Sequence, residues 1–270
     1  MMIVGTATLN RPTAGLVTST LVVARRAVLR YLHTPKLIVF ATLQMTMFMV
    51  FFRYIFGGAI SSGGIPYVDF LVPGFITAGV LFTGIGTAVA VAEDLEQGFV
   101  DRLRSLPIPR GAVLAGRAAA DTTILVWSLI VSVAIGFGVG FRLHGTVLNG
   151  LIAFGLCVAF GYAFEWLFIA LGQLAGNAQA AQGVAFLVFP LTFVSSAYVP
   201  TASMPRLLRV IAEHQPLTVM IDAVRALTLG PAAPALLGHA PAYFVTRALL
   251  WALGILLVSG SVAIATYRRG

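Results

Sequence analysis

Charge is scarce in this sequence, so the places where it concentrates are where chemistry or recognition can occur. The densest is EDLEQGFVDRLRSLPIPR, Glu93 to Arg110. Read as a helix, its Leu95, Phe99, Leu103 and Leu106 form one apolar stripe, with Glu93, Asp94, Glu96, Asp101, Arg102 and Arg104 on the other faces. The acids come first and the arginines later, as the helix dipole prefers, and Pro107 and Pro109 end the helix. A charged helix with one apolar edge must bury that edge, either in the membrane interface or in a groove on a soluble partner. A second feature is Glu165, the one carboxylate expected well inside an apolar run, GYAFEWLFIAL. Such an acid contacts a polar or cationic substrate, binds a proton, or makes a structural hydrogen bond. A third is Asp222 and Arg225, whose three-residue spacing lets them pair on a helix.

Other reactive residue types are not arranged for catalysis. His33, His144, His214 and His239 are far apart, and Cys157, the single cysteine, lies in an apolar run, so neither a metal cluster nor an intramolecular disulfide is expected. Ser195 and Ser196 have no base and acid at a spacing that sequence can support. The only lysine, Lys36, follows Thr34 and Pro35, and no Gly-x-x-x-x-Gly-Lys-Ser/Thr run occurs. With no phosphate cradle, the chain cannot hydrolyse ATP as a P-loop enzyme, and any energy for work comes from a partner or an ion gradient.

The elements that position these residues follow from composition. Of 270 residues, 59% are hydrophobic and only 10% charged, with a mean hydropathy of +0.96. Soluble domains carry about 25% charged residues, so the solvent for most of this surface is lipid. The net charge of +8 comes almost wholly from arginines clustered beside apolar runs, the footprint of membrane orientation rather than of nucleic-acid binding. Arginine over lysine, with abundant alanine, points to a bacterial protein and hence to a bacterial plasma membrane.

A span needs ~20 apolar residues. Six stretches are expected to serve: Leu37–Phe56, Phe70–Ala92, Thr122–Phe141, Val147–Leu171, Gly183–Val199 and Phe244–Tyr267. The fifth is short and carries Pro190, so it is expected to bend. Before them, Leu16–His33 reads as an amphipathic interfacial helix, with Val17, Leu21, Ala24, Val28 and Leu32 on one face and Arg25, Arg26, Arg30 and His33 on the other. The fold class is therefore all-α integral membrane, with residues 1–36 as an N-terminal segment and 37–270 as a six-span domain. Counting arginines in short loops places both termini in the cytoplasm, with residues 93–110 inside and 200–243 outside. Arg53, Arg142 and Arg247 then sit near outer span ends as snorkelling anchors. Leu217, Met220, Ile221, Val224 and Leu227 share one face of a short helix expected to rest on top of the bundle.

The charged loop resembles the signature of type-2 ABC exporter permeases, in which an acidic residue, a glycine, an acidic-basic pair and a proline recur after the second span. GFVDRLRSLPIPR, Gly98–Arg110, is similar to that loop in the daunorubicin-resistance permease subfamily. FPLTFVSSAYVPTASMP and HQPLTVMIDAVRALTLG resemble the same subfamily's fifth span and external segment, with Gln215 where Asn is more common. The resemblance implies a six-span subunit working with a second permease (a copy of itself or a sister chain) and with ATPase subunits that hold ATP and Mg. This chain itself would carry no cofactor. It implies that Glu93, Glu96, Gly98, Asp101, Arg102, Arg104 and Pro107 belong to a coupling helix, and Arg25, Arg26 and Arg30 to a connecting helix. Glu165, Pro216, Asp222 and Arg225 become candidates for the substrate path or an outer gate. The expected cargo is an amphipathic drug or lipid.

Other classes fit less well. A gradient-driven carrier needs ionisable groups at mid-membrane, and only Glu165 comes near. A lipid-modifying enzyme needs clustered His, Asp or Glu at a membrane face, and the only acidic cluster is the loop at Glu93–Asp101. A subunit that assembles without transporting is the remaining alternative.

Overall fold

The computed structural model describes residues 46–58, 60, 64–98 and 110–269. Leu16–His33 with Arg25, Arg26 and Arg30, the first part of Leu37–Phe56, and Asp101, Arg102, Arg104 and Pro107 lie outside the described residues. Every described element is helical: α1 Thr46–Phe56, α2 Tyr67–Glu96, α3 Arg110–Gly138, α4 Val147–Ala175, α5 Ala178–Phe186, α6 Phe189–Phe193, α7 Arg206–His214, α8 Pro216–Thr228, α9 Ala233–Leu237 and α10 Pro241–Arg269. Among the described residues, α2, α3 with bounds Leu114–Gly138, α4 and α10 are long and apolar enough to cross a membrane. The protein is thus an all-α, multi-pass membrane protein.

Local sequence explains the punctuation. Thr146 caps α4 by accepting from the Asn149 N–H at 3.1 Å. Gly176, at φ +77, ends α4, and Asn177 at once caps α5 by accepting from the Ala180 N–H at 2.7 Å. The expected fifth span, Gly183–Val199, is two short helices, α5 and α6, separated by Leu187 and Val188, with Pro190 near the start of the second. The irregularity expected at Pro190 is a tightened turn at Leu187 and Val188, both of which keep right-handed helical dihedrals. α3 starts at Arg110, well before the expected Thr122, and this carries Asp121 into the helix.

The bundle is organised around α4, which is apolar all round and packs against α2, α3, α5, α8 and α10. Without a hydrophobic force between helices in lipid, close backbone approach supplies the contact energy. Gly84 of α2 makes room for Phe168: a Cβ there would stand 1.9 Å from the ring. Gly172 of α4 lies so close to α2 that its Cβ would meet the Ala88 carbonyl oxygen at 2.4 Å. The helix α8 does not rest on top of the bundle. Both its faces are buried, including Thr218, Val219, Ala223 and Ala226, because it is wedged among α2, α4 and α10.

Candidate functional site

Three features meet in this bundle: a cavity, a polar chain near the end that carries loop 97–109, and a clasp at the opposite end. The cavity, of about 530 Å³, lies between α1, α2, α3, α5 and α6. Its walls are largely aromatic. The Phe52 and Tyr198 rings stack at 4.9 Å, Phe186 and Phe189 at 5.1 Å with planes 13° apart, and Phe82 meets Phe189 edge-on at 5.6 Å. The polar lining consists of Thr83, Ser128, Ser132, Gln182 and Tyr198, with no charged side chain among the described lining residues. Phe186 and Phe193 are exposed at its edge, so it opens sideways between helices. Such a site suits a flat, largely apolar molecule with a few neutral polar groups.

Near the loop end, Arg117 of α3 donates from Nη1 to Asp94 Oδ2 at 2.9 Å and from Nε to Asp121 Oδ2 at 2.8 Å. The first contact crosses to α2; the second is an i,i+4 pair within α3. Thr87 Oγ1 of α2 then lies 3.1 Å from Asp121 Oδ2 and 2.6 Å from Glu165 Oε2 of α4. One hydroxyl thus joins carboxyl groups from two further helices. Asp121 and Glu165 are buried, as is Thr87. Buried polar groups in a membrane bundle persist only when partnered. Glu165 is therefore not the lone carboxylate within a span: Asp121 joins it, because α3 begins a dozen residues earlier than hydropathy suggested. Glu165 does not line the cavity.

At the opposite end, Arg225 of α8 is fully buried. It donates from Nε to the Phe70 carbonyl oxygen at 3.0 Å and from Nη2 to the carbonyl oxygens of Ser196 at 2.6 Å and Ala197 at 3.2 Å. Its expected partner, Asp222, is at 3.6 Å and also accepts from Ser196 Oγ at 3.0 Å. Burial pushes the Asp222 carboxyl up and the Arg225 guanidinium down, to about 10, each partly offset by the other. Gly74 permits this approach, since a Cβ there would stand 2.3 Å from the Ala197 carbonyl oxygen and 2.5 Å from Arg225 Nη2. Pro216 opens α8 at its first turn. Beside this clasp, buried Asp69 accepts from the Arg142 backbone N–H at 3.0 Å and from His144 Nε2 at 2.9 Å. Arg142, expected as an anchor near a span end, is exposed there, and its guanidinium donates to the Phe137 and Phe141 carbonyl oxygens at the end of α3.

Of the loop residues, Glu93 and Glu96 continue α2, and Gly98 follows at φ +63. That left-handed step follows the end of the helix, so Leu95 belongs to α2, whereas Phe99, Leu103 and Leu106 of the expected stripe lie outside the described residues. Sequence reading missed Thr87, Asp121 and Asp69 as site residues. The i,i+4 spacing of Arg117 and Asp121 was the available signal, hidden by a helix start placed at Thr122 instead of Arg110.

Residues 18–229 match the ABC-2 type transporter family. The chain is 31% identical over 217 residues, 80% of its own length and 77% of the relative's, to the daunorubicin resistance ABC transporter permease protein DrrB1 of Streptomyces coeruleorubidus. It is also similar, at 23% identity over 259 residues and covering 94% of this chain and 89% of the relative, to the probable doxorubicin resistance ABC transporter permease protein DrrC of Mycobacterium tuberculosis.

Proposed function

The chain belongs to the ABC-2 type transporter family, and from that premise we propose how its parts divide the work of moving a flat amphipathic molecule across the membrane. It is the permease subunit of an ABC exporter, and its family implies an ATP-binding partner subunit. ATP and Mg are held by that partner. The cargo binds in the aromatic cavity, entering sideways from the bilayer past Phe186 and Phe193; this reading rests on the cavity's stacked rings and uncharged polar lining. The names of the relatives, which refer to daunorubicin and doxorubicin resistance, agree with a polycyclic aromatic cargo.

The loop from Glu93 through Gly98, Asp101, Arg102 and Arg104 to Pro107 docks on the ATPase, with the Arg25, Arg26 and Arg30 helix beside it. Both termini are cytoplasmic, in the plasma membrane of a bacterium. The clasp of Arg225, Asp222 and Ser196 then lies on the outer side, where it closes the path until ATP binding draws the partner subunits together. Exposed apolar residues beside the cavity, such as Leu187 and Phe193, face a second permease or lipid.

The deciding experiment co-purifies this chain with a candidate ATP-binding partner subunit, with Asp101 and Arg102 intact and then both changed to Ala. Loss of association or of coupled hydrolysis in the variant supports the docking loop. Unchanged association and transport in the variant would remove the loop from the mechanism.

A further inference from the structure

The polar chain near the loop end does not reach the cavity lining. Its geometry is unusual in another respect: it brackets the loop. Asp94 is in the last turn of α2 and Arg117 is in the second turn of α3, and residues 97–109 connect them. Their contact at 2.9 Å closes that loop at its base. From there the chain runs inward through Asp121 and Thr87 to Glu165, about 15 Å from the loop-end termini of their helices at ~1.5 Å per residue.

The pair is part-buried, its side chains 14% and 24% exposed, and Arg117 is held at the same time by the buried Asp121. What it supplies is position. Terminal turns of helices fray, and a force applied to a loop joined to two frayed ends is lost in bending them. A guanidinium has a planar fork that holds two carboxylates at fixed angles, here Asp94 and Asp121 at once. The fork thus ties the end of α2 to the first turns of α3, and Thr87 passes the tie to α4.

We propose that Asp94 and Arg117 are positioning residues for energy coupling: a strap across the base of the loop that makes the loop and the adjoining halves of α2, α3 and α4 move as one body. The proposal rests on the reading of residues 93–107 as the ATPase-docking loop. The strap stays closed through the cycle, and its partners need only be held together, by charge or by any other link.

The test uses the permease–ATPase complex in lipid vesicles, reading cargo transported per ATP hydrolysed. Asp94→Asn removes the charge on the α2 side of the tie, leaving at most a neutral hydrogen bond, and keeps the Arg117–Asp121 pair intact. It should lower that ratio at least about fivefold with ATPase association unchanged, and Asp94→Glu should restore it. In a Cys157→Ala background, which removes the single cysteine, Asp94→Cys with Arg117→Cys should be poorly coupled until a short thiol crosslinker joins them, and well coupled afterwards. The docking reading has its own control, since Asp101→Ala with Arg102→Ala should remove association whereas Asp94→Asn should not. A normal ratio in Asp94→Asn overturns the strap. So does loss of association in Asp94→Asn, which would put Asp94 in the docking surface. Arrest of transport by the crosslink overturns it as well, since the pair would then have to part.

Discussion

Arg225 Nε donates to the Phe70 carbonyl oxygen at 3.0 Å while its guanidinium carbon lies 3.6 Å from the centroid of the same residue's ring. One side chain thereby engages both the backbone and the face of a single residue on α2. With Ser196 and Ala197 it joins three parts of the chain that are remote in sequence. Removing one partner of a buried charged cluster costs about 3–5 kcal/mol, because the remaining groups stay desolvated. Arg225→Ala should lower the stability of the purified protein by that order, read as a fall in its thermal midpoint. Arg225→Lys should recover only part of it, since an ammonium cannot match the fork or the stacking. A Lys variant melting with the wild type would show that charge alone suffices.

Gly84 and Gly86 sit on the same helix with opposite surroundings. A Cβ at Gly84 would stand 1.9 Å from the Phe168 ring, whereas a Cβ at Gly86 meets nothing within 4 Å and points toward the cavity that Gly86 lines. Gly84→Ala should destabilise by about 1–3 kcal/mol, with Phe168→Leu relieving much of that loss. Gly86→Ala should stabilise by up to about 1 kcal/mol, through helix propensity alone.

Filling the cavity should impair transport without harming the fold. Gly86→Leu places a side chain into the 530 Å³ space. Export of a planar aromatic dye by the permease–ATPase complex should fall about tenfold or more, for ~1.4 kcal/mol or more of lost binding, while ATPase association and thermal midpoint hold. Undiminished export would move the cargo path elsewhere.

Glu165 contacts Thr87 at 2.6 Å and does not line the cavity. Glu165→Gln keeps a group able to exchange a hydrogen bond with the hydroxyl, so export and expression should both survive. Thr87→Val removes the bridge between two carboxyl groups and should cost about 1–3 kcal/mol of stability. Loss of export in a well-expressed Glu165→Gln protein would instead indicate a substrate or proton role.

The Asp69 contacts should prove unequal. His144 is 47% exposed, so His144→Ala should cost no more than about 1 kcal/mol. Asp69→Leu strands the Arg142 N–H as well and should cost about 1–3 kcal/mol. Thermal unfolding in detergent at one pH compares them, and equal shifts would mean that the Arg142 contact contributes nothing.

Sequence alone determined the solvent and the family. An apolar run of ~20 residues has little choice but to span a bilayer as a helix, because every backbone group must be satisfied within the segment. That is why α2, α4 and α10 were legible. The family was legible because the residue types of Gly98–Arg110 and of His214–Gly230 resemble those of its members, and the family match over residues 18–229 agrees. The Asp222–Arg225 pair was legible from i,i+3 spacing, although Arg225's main partners, the carbonyls of Phe70, Ser196 and Ala197, were not.

Tertiary structure decided the rest. Hydropathy finds where a helix becomes apolar, not where it begins, so α3 started at Arg110 rather than Thr122 and Asp121 was left outside its span. Thr87, Asp121 and Glu165 come from three helices and meet only because Gly84 and Gly172 let α2 and α4 approach closely. The cavity is assembled from residues of five helices, with Phe186, Phe189 and Phe193 on the short apolar segment facing Phe52, Phe82 and Tyr198, and hydropathy gives no sign of that arrangement. Contacts between helices depend on how backbones are offset in three dimensions, and no periodicity along one chain encodes that offset.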